Sequence, residues 1–328
     1  MDLLRIGCLG AARIVPAALV KPAASSTEAT VTAVAARDGG RARAFAAKHG
    51  IAVSYGSYAE LLADPDVDAV YNPLPNGLHG AWTIRALEAG KHVLCEKPFT
   101  ANAAEAEEVA AAAERSGLVV MEAFHWRYHP LATRVLDIIA SGDLGPVRHV
   151  EATFGFPLLR RADIRWQLDL AGGALMDAGC YAVHLVRTFA GAEPSVTSAV
   201  AREHSPGVDR SMDAELRFAD GRTGAIHCSM LSPPRISARV IGERATLRLT
   251  NPLAPQVWNR ITVKGRDGRR HERVAGGSTY SYQLAAFAAA VRQGAPTLTP
   301  PADSIATMRV IDDVYRAAGM DVRAPTPA

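Results

Sequence analysis

The clearest structural signal in this chain is the stretch Lys91-His92-Val93-Leu94-Cys95-Glu96-Lys97-Pro98. Its short apolar run, residues 93–95, has polar residues on both sides and predicts a buried strand. Because proline lacks the N–H group that a sheet ladder needs, the strand must end there, which leaves Glu96 and Lys97 at its carboxyl end. Ligands of open α/β sheets bind at the carboxyl ends of the strands. Lys97 is therefore expected to meet a ligand.

Strand and helix signals alternate along the first third of the chain. Apolar runs predict strands at residues 3–9, 31–36, 68–72, 93–95 and 118–123. Helical spacing and capping residues predict helices between them at residues 41–49, 57–63, 78–89 and 102–117. Strands that are regularly separated by helices indicate a parallel sheet wound on both faces. The sequence therefore predicts an α/β protein whose first domain, residues 1–123, is a doubly wound Rossmann domain.

The pattern changes after Glu122, and the second domain is predicted to span residues 124–328. Pro130 starts a helix that Gly142 closes, and alternating apolar residues then predict a half-buried strand at residues 150–156.

Successive strands are predicted between residues 196 and 274 of the second domain. Two turn signals join pairs of these strands and imply an antiparallel sheet, namely Asp220-Gly221 and Asp267-Gly268. Helices are predicted at residues 282–293 and 303–318, and the last helix is a candidate for packing back on the first domain. The tail after Gly319 is expected to be loose.

Composition limits the classes of function. The chain has 328 residues, of which 48% are hydrophobic and 21% charged, and a net charge of +3 with scattered arginines, so no basic stripe indicates nucleic acid. No apolar run approaches the length of a membrane span, and the N-terminus leaves no room for a signal peptide before the first strand. The four cysteines are too far apart for a metal motif or a disulfide scaffold, so a reducing, cytoplasmic location is expected: Cys8, Cys95, Cys180 and Cys228.

A glycine follows the first strand in the position of a dinucleotide-binding turn. The GxGxxG pattern is degraded, because Gly10 stands first, Ala12 takes the second glycine's place and Val15 the third. Alone the motif is weak, since any turn between a strand and a helix can begin with glycine. Its place at the head of several strand–helix units favours cofactor binding at Gly10, Ala12, Arg13 and Ile14, where a pyrophosphate would accept free backbone amides.

The end of the second strand distinguishes between nicotinamide cofactors. NAD sites place an acid there for the ribose hydroxyl, whereas NADP sites supply a cation for the 2′-phosphate. The strand ends in Arg37-Asp38, with Arg41 one helical turn further on. Arg37 can bind a phosphate and stack on adenine, which favours NADP. Asp38 comes one residue late for a ribose contact but could still serve NAD, and the alternative for both residues is a solvated ion pair on a loop.

The loop after the third predicted strand, residues 72–79, is stiffened by two prolines at the carboxyl edge of the sheet. Asn76 or His79 could touch the ribose or the substrate, whereas an alternative makes Asn76 only the cap of the next helix. The candidate cofactor contacts of this loop are Pro73, Leu74, Asn76 and His79.

A second strong signal is the spacing of Asp177, Tyr181 and His184. At i, i+4 and i+7 they form one narrow stripe on a helix that is otherwise apolar and therefore buried. Three buried polar groups must find partners or line a cavity. The alternative to a catalytic site is a satisfied structural network.

Three stretches together resemble the glucose–fructose oxidoreductase/inositol dehydrogenase (Gfo/Idh/MocA) family: Glu96-Lys97-Pro98, the loop from Pro73 to His79, and the run from Gly173 to Tyr181. The resemblance extends from about Leu3 to Met320. The end of the second strand and the tyrosine at position 181 are most similar to the dimeric dihydrodiol dehydrogenase and sugar oxidoreductase branches, which use NADP. Inositol dehydrogenases carry histidine in place of Tyr181.

This resemblance implies a second domain of the α/β class with a large, open, mainly antiparallel sheet, whose outer face forms homodimers or homotetramers. It implies that Lys97 and Tyr181 flank the nicotinamide and the reacting carbinol, while Asp177 and His184 orient substrate hydroxyls or tune the pair. Glu96 would hold Lys97 or contact the cofactor. Trp166 matches a position at which relatives cover the nicotinamide.

The sequence thus predicts an NADP-dependent oxidoreductase that transfers a hydride between the nicotinamide and a carbinol or ketone of a sugar, sugar derivative or cyclic diol. One alternative is an NAD-dependent glycosidase of the same family, and another is a catalytically silent regulator that binds a ligand. Arg37 and Tyr181 favour net redox chemistry over the glycosidase. The presence of both Lys97 and Tyr181 argues against the regulator. No metal is expected.

Overall fold

A computed structural model describes residues 3–266 and 268–327. The chain folds into two compact units. The first comprises the chain up to Tyr128 together with Tyr280–Ser304, and the second comprises His129–Thr279 together with Ile305–Thr326. The first unit is thus discontinuous in sequence, whereas the predicted first domain is the single stretch of residues 1–123.

The first unit contains a six-stranded sheet with the order β3-β2-β1-β4-β5-β6, and every paired strand is parallel. The strands are β1 Leu4–Leu9, β2 Ala29–Ala35, β3 Val53–Tyr55, β4 Ala69–Asn72, β5 His92–Cys95 and β6 Val120–Glu122. This sheet confirms the predicted Rossmann fold. The sequence pattern does not predict β3, because its three residues are all at least partly exposed and form no apolar run.

The second unit contains an eight-stranded sheet with the order β14-β13-β12-β11-β7-β10-β9-β8. Only the β7–β10 pair is parallel, so the prediction of a mainly antiparallel sheet is confirmed. Asp220-Gly221 lies between β9 and β10 as predicted, whereas Asp267 lies outside the described residues. The strands are β7 Val147–Pro157, β8 Pro194–Ser205, β9 Val208–Phe218, β10 Thr223–Ser229, β11 Leu231–Gly242, β12 Ala245–Thr250, β13 Arg260–Gly265 and β14 Gly268–Glu272.

Most helices begin and end where the sequence indicates. Asn102 accepts a hydrogen bond from the amide of Glu105 at 3.0 Å and caps α5, which ends at Gly117 with a positive φ of 66°. In the described part of the chain the helices are α1 Lys21–Ala24, α2 Gly39–His49, α3 Tyr58–Ala63, α4 His79–Glu88, α5 Ala103–Ser116, α6 Pro130–Ala140, α7 Cys180–Ala190, α8 Thr279–Gln293 and α9 Pro301–Ala317. Single π-helical turns, Pro16–Val20 and Leu175–Gly179, precede α1 and α7.

The division between the two units falls inside the last helix, after Ser304. Leu284, Phe287 and Ala288 of α8 are buried in the apolar cluster that contains Leu4 and Ile6 of β1, which explains why this helix belongs to the first unit. Residues of α9 from Ile305 onwards belong to the second unit. The sequence analysis named only the last helix as a candidate for packing on the first domain, so the place of α8 in the first unit was not predicted.

The expectation of a loose tail after Gly319 is wrong for Arg323. Its side chain is only 1% exposed and binds the buried carboxylate of Asp209. An ion pair with a residue more than a hundred positions away leaves no local signal in the sequence.

Two general features follow from the described residues. No helix among them is long and apolar enough to cross a membrane, and they contain no cluster of histidine, cysteine and acidic side chains suited to a metal ion. All four cysteines are buried free thiols.

A buried carboxyl group joins α4 and α5 of the first unit. Glu105 Oε2 accepts the amide of Ala101 at 2.8 Å, and a Cβ at Gly80 would overlap this carboxyl group. Burial raises the pKa of Glu105 to about 7. The folded chain therefore holds this proton more tightly than the unfolded chain does.

Because the pKa of Glu105 is raised on folding, the free energy of unfolding should decline as pH rises from 4.5, the ordinary value, to about 7. Glu105→Gln should remove this decline, because the amide oxygen still accepts a hydrogen bond and carries no charge. Urea unfolding at about pH 5 and about pH 8 measures the difference. The exposed Glu114 on the same helix provides the control Glu114→Gln, and an equal pH dependence in wild type and Glu105→Gln would contradict the assignment.

Candidate active site

The turn after β1 presents backbone donors. Gly10 has φ of 112°, and its amide donates to the carbonyl oxygen of Ala35 at 2.8 Å. Among the described residues, the amides of Ala12 and Ile14 have no hydrogen-bond acceptor. A π-helical turn starts directly afterwards at Pro16. Free amides at the start of a helical segment suit an anionic group such as a pyrophosphate.

The end of β2 carries an exposed cationic group. Arg37 is exposed. Burial raises the pKa of the Tyr58 phenol, and the guanidinium groups of Arg37 and Arg41 oppose that shift. Arg41 Nη2 also donates to the carbonyl oxygen of Ala11 in the glycine turn at 2.9 Å. Asp38 Oδ1 accepts the amide of Arg41 at 2.9 Å and caps α2. Asp38 thus has a structural role that competes with a ribose contact, while Arg37 faces solvent.

The loop after β4 is held by internal hydrogen bonds. The Asn72 amide group donates to the carbonyl oxygen of His79 at 3.0 Å. His79 lies with Nδ1 2.7 Å from the carbonyl oxygen of Pro98 and Nε2 2.7 Å from that of Leu74. Burial lowers the pKa of His79 to about 4, and the Lys97 charge contributes in the same direction. His79 joins two loops of the site and keeps no ring nitrogen for a ligand.

Pro73, Leu74 and Asn76 lie on the loop that His79 fixes. Leu74 is buried, and its Cδ2 is 3.2 Å from where a Cβ on Gly10 would stand, so this loop packs against the glycine turn. Asn76 is half-buried in a short 3₁₀ turn. The cap position of α4 is Leu78, so the interpretation of Asn76 as the cap of that helix is wrong.

Lys97 follows β5 as predicted and is half-buried, in a cis peptide bond with Pro98. Glu96 is buried beside it and accepts a hydrogen bond from the Tyr71 hydroxyl at 2.6 Å. His125 is buried with its ring 4.3 Å from that of Tyr280. Burial lowers the pKa of His125 to about 3, with a smaller contribution from the Lys97 charge. The lysine therefore sits in a compact set of buried polar and aromatic groups within the first unit.

The second unit brings Asp177, Tyr181 and His184 onto one buried helical segment, formed by the π turn Leu175–Gly179 and α7. Single π turns inside helices occur frequently at functional sites. The Tyr181 ring packs edge-on against Phe154 of β7, with 5.6 Å between the ring centroids.

Two contacts of the predicted site residues were not predicted from the sequence, namely that of Asp177 with Arg165 and that of Trp166 with His204. Arg165 Nε lies 2.8 Å from Asp177 Oδ2, and Arg165 also pairs with Asp163. The acid in the stripe is thus held by a cation from the preceding loop, and no spacing in the sequence predicts this pair. Trp166 is buried and stacked on His204, with 4.1 Å between the rings.

Two family models match this chain. That of the Gfo/Idh/MocA oxidoreductase family, an NAD-binding Rossmann fold, matches residues 4–124, and that of the Gfo/Idh/MocA C-terminal domain matches residues 133–248. D-xylose 1-dehydrogenase (NADP(+)) 2 of Haloferax volcanii is 39% identical over 320 residues, which cover 96% of this chain and 97% of that protein. Trans-1,2-dihydrobenzene-1,2-diol dehydrogenase of Bos taurus is 39% identical over 244 residues, 73% of this chain and 71% of the relative.

Solved structures give the same result. A 3-ketoreductase from Actinomadura kijaniata, in complex with NADP and TDP-benzene, superposes with a TM-score of 0.92 at 31% identity, covering 98% of this chain and 99% of that one. The fold and these relatives identify a nicotinamide-dependent dehydrogenase or reductase that acts on CH–OH groups. The chain belongs to the Gfo/Idh/MocA oxidoreductase family. The predicted family, enzyme class and nicotinamide cofactor are confirmed.

Gly10→Ala should weaken binding of the cofactor, because a side chain at φ of 112° strains the turn and meets Leu74. The free energy of unfolding should also fall by about 1–3 kcal/mol. Calorimetric titration with NADPH and urea unfolding measure the two effects. Gly50→Ala is the matched control, since Gly50 also has positive φ but no neighbour within 4 Å; it should lose stability and keep its affinity. Wild-type affinity in Gly10→Ala would contradict this role of the turn.

Proposed function

We propose that this protein is an NADP-dependent oxidoreductase that transfers a hydride between the nicotinamide and a carbinol or ketone carbon of a sugar, sugar derivative or cyclic diol. The observation that carries the proposal is the combination of Lys97 at the exit of β5 with Tyr181 on the buried helix of the second unit. In the proposal both side chains act on the reacting oxygen.

The solved relative supports these two residues. The structure of the 3-ketoreductase has been determined with a tyrosine replaced by phenylalanine, and with a lysine replaced by alanine or glutamate. That lysine and that tyrosine are 84 residues apart, the same spacing as between Lys97 and Tyr181. The match in spacing and residue type is the reason to give Lys97 and Tyr181 the central roles.

The chemistry fits these residue types. Oxidation of an alcohol needs a hydride acceptor, which bound NADP would supply, and a base for the hydroxyl proton. An unperturbed phenol is a poor base at neutral pH, but a neighbouring ammonium group favours its ionised form. Tyr181 is proposed to take the proton, and Lys97 to stabilise the phenolate and the alkoxide. In the reverse direction Tyr181 returns the proton to the forming alkoxide.

The remaining site residues are assigned supporting roles. Asp177, paired with Arg165, and His184 orient substrate hydroxyl groups or tune Tyr181. Glu96 holds the Lys97 turn, consistent with the Glu96 Oε2 contact to the Lys97 amide at 3.3 Å. Trp166 covers the nicotinamide, and its stacking on His204 would keep the indole ring in one orientation.

The residues of the first unit also fit the cofactor. The free amides of Ala12 and Ile14 suit the pyrophosphate. The exposed guanidinium group of Arg37 suits the 2′-phosphate of NADP, and the capping role of Asp38 makes a ribose contact of the NAD type less suitable. The name of the Haloferax relative includes NADP(+), and the solved ketoreductase was crystallised with NADP.

The proposed partners are a polyol or sugar and a second copy of the chain. A homodimer or homotetramer through the eight-stranded sheet stays a prediction, as does the cytoplasmic location. Charged pairs such as Glu151–Arg239 lie on neighbouring strands of this sheet, which suits a polar interface.

Lys97→Ala and Tyr181→Phe should each lower kcat by about 10²–10⁴-fold, because each removes a group from proton transfer or alkoxide stabilisation. NADPH affinity should change little. Initial rates with a panel of sugars and diols, together with calorimetric titration, measure both. Lys264→Ala and Tyr55→Phe, which alter residues outside the site, are the matched controls. Near-wild-type turnover in either site variant would refute its role.

Arg37→Ala should weaken NADPH binding by about 10- to 100-fold, which corresponds to the loss of charge-assisted hydrogen bonds to the 2′-phosphate. NADH binding should be unchanged, because NADH lacks this phosphate. Parallel titrations with the two cofactors measure the effect, and Lys48→Ala, at the other end of α2, controls for the loss of one positive charge. An equal loss of affinity for both cofactors would contradict the assignment of Arg37.

A further inference from the structure

A buried cluster lies at the start of the Tyr181 segment and has no part in the proposed proton transfer. Asp209 Oδ2 accepts the amide of Leu175 at 2.7 Å. Its Oδ1 accepts the Tyr315 hydroxyl at 3.0 Å and Arg323 Nη2 at 2.8 Å. The guanidinium carbon of Arg323 lies 4.1 Å from the centroid of the Tyr315 ring. One carboxylate thus connects the end of the chain to the first residue of the π turn.

The ion pair within this cluster is excluded from solvent. The side chain of Arg323 is 1% exposed and that of Asp209 is 0% exposed. Burial raises the pKa of Asp209, and the Arg323 charge opposes this shift. Loss of either partner would leave the other charge buried and uncompensated. The pair is therefore a fixed part of the second unit and unlike the exposed ion pairs of its surface.

Arg323 contacts the turn before the Tyr181 segment both directly and through Asp209. Its Nε donates to the carbonyl oxygen of Gly172 at 2.8 Å, and through Asp209 it fixes the amide of Leu175. Gly173, between them, has φ of 134°, and a Cβ there would overlap the carboxylate of Asp209. The direction in which the helical segment leaves the turn is set by these contacts.

We propose that Arg323, acting through Asp209, is a positioning residue for Asp177 and Tyr181. Tyr181 follows Leu175 by six residues on a continuous helical segment, so a displacement at Leu175 is transmitted to the phenol. This inference rests on the proposed function, because it takes Tyr181 as the group that moves the proton. The proposal gives a function to Arg323 in the tail after Gly319, for which the sequence predicts a loose conformation.

Arg323→Ala should lower kcat by about 10²-fold, the size expected when a reacting group is misplaced by about 1 Å. The NADPH dissociation constant should be unchanged, because the cofactor contacts of the proposal lie on other elements. Added guanidinium ion should restore a large part of kcat in this variant and should not raise kcat in wild type. The control is Arg316→Ala on α9, whose arginine side chain is 61% exposed; it should keep wild-type kcat. Unchanged kcat in Arg323→Ala, or a loss of kcat that guanidinium does not reverse, would overturn the proposal.

Hydrogen–deuterium exchange tests the same inference without turnover. Amides of residues 173–181 should exchange at least about tenfold faster in Arg323→Ala than in wild type or Arg316→Ala, while amides of β1 and β4–β6 keep their rates. If the wild-type protein oxidises no substrate, the proposed function fails, yet this result would still support the positioning. Unchanged exchange at residues 173–181 would overturn it even in an active enzyme.

A second variant covers the case in which Arg323→Ala does not fold. The double variant Asp209→Asn/Arg323→Gln removes both charges together, so no unpaired charge remains buried. The asparagine oxygen can still accept the Leu175 amide. We expect kcat and exchange at residues 173–181 closer to wild type than in Asp209→Leu/Arg323→Gln, which removes this acceptor. Equal behaviour of the two double variants would contradict the role of the Leu175 contact.

Discussion

The in-register pairing of β4 with β5 is the constraint on which the site of the first unit depends. Asn72 lies opposite Cys95 at the end of these strands, and the Glu96 amide donates to the Asn72 carbonyl oxygen at 3.0 Å. Both chains leave the sheet at the same level, so loop 73–79 and the Lys97 turn start side by side. His79 then joins them through the carbonyl oxygens of Leu74 and Pro98. A shift of one residue in this register would separate the loops.

The site segment of the second unit is held by interactions of a different kind. Its site segment starts with a wide π turn, whose first amide is bound by a carboxylate, and a second carboxylate in the same turn is bound by Arg165. Both acids are buried and both are paired with arginine, so the segment carries no uncompensated charge. Such pre-arranged surroundings suit the role proposed for Tyr181, because proton transfer depends on the distance and orientation of the phenol to the substrate.

Local patterns in the sequence predicted most of the fold and the elements on which the candidate site residues lie. The proline after β5 identified the strand end at Lys97, and the spacing of Asp177, Tyr181 and His184 identified one buried helix. These predictions succeeded because each depends on neighbours within a few positions. A six-stranded parallel sheet followed by an antiparallel one also follows from such local signals.

The partners of these residues could not be predicted in the same way. Arg165, twelve residues before Asp177, looks like any loop arginine until the chain is folded. Arg323 and Asp209 are 114 residues apart, and the spacing has no periodicity that a pattern could detect. The sequence predicts His79 as a ligand contact, because a histidine in a loop at the sheet edge can form a hydrogen bond with a ribose or a substrate. Leu74 belongs to the same loop as His79, but Pro98 lies 19 residues away, and only the tertiary structure brings its carbonyl oxygen to the ring.

The burial of α8 in the first unit has a consequence for biosynthesis. Leu284, Phe287 and Ala288 complete an apolar cluster whose other members, such as Leu4 and Leu94, leave the ribosome nearly two hundred residues or more earlier. The nucleotide-binding sheet therefore cannot complete this apolar cluster until residues 129–279 of the second unit have been synthesised, and its apolar face stays exposed for that time. β1 is the first strand to be synthesised, yet its apolar cluster is complete only after α8, one of the last helices, has been synthesised.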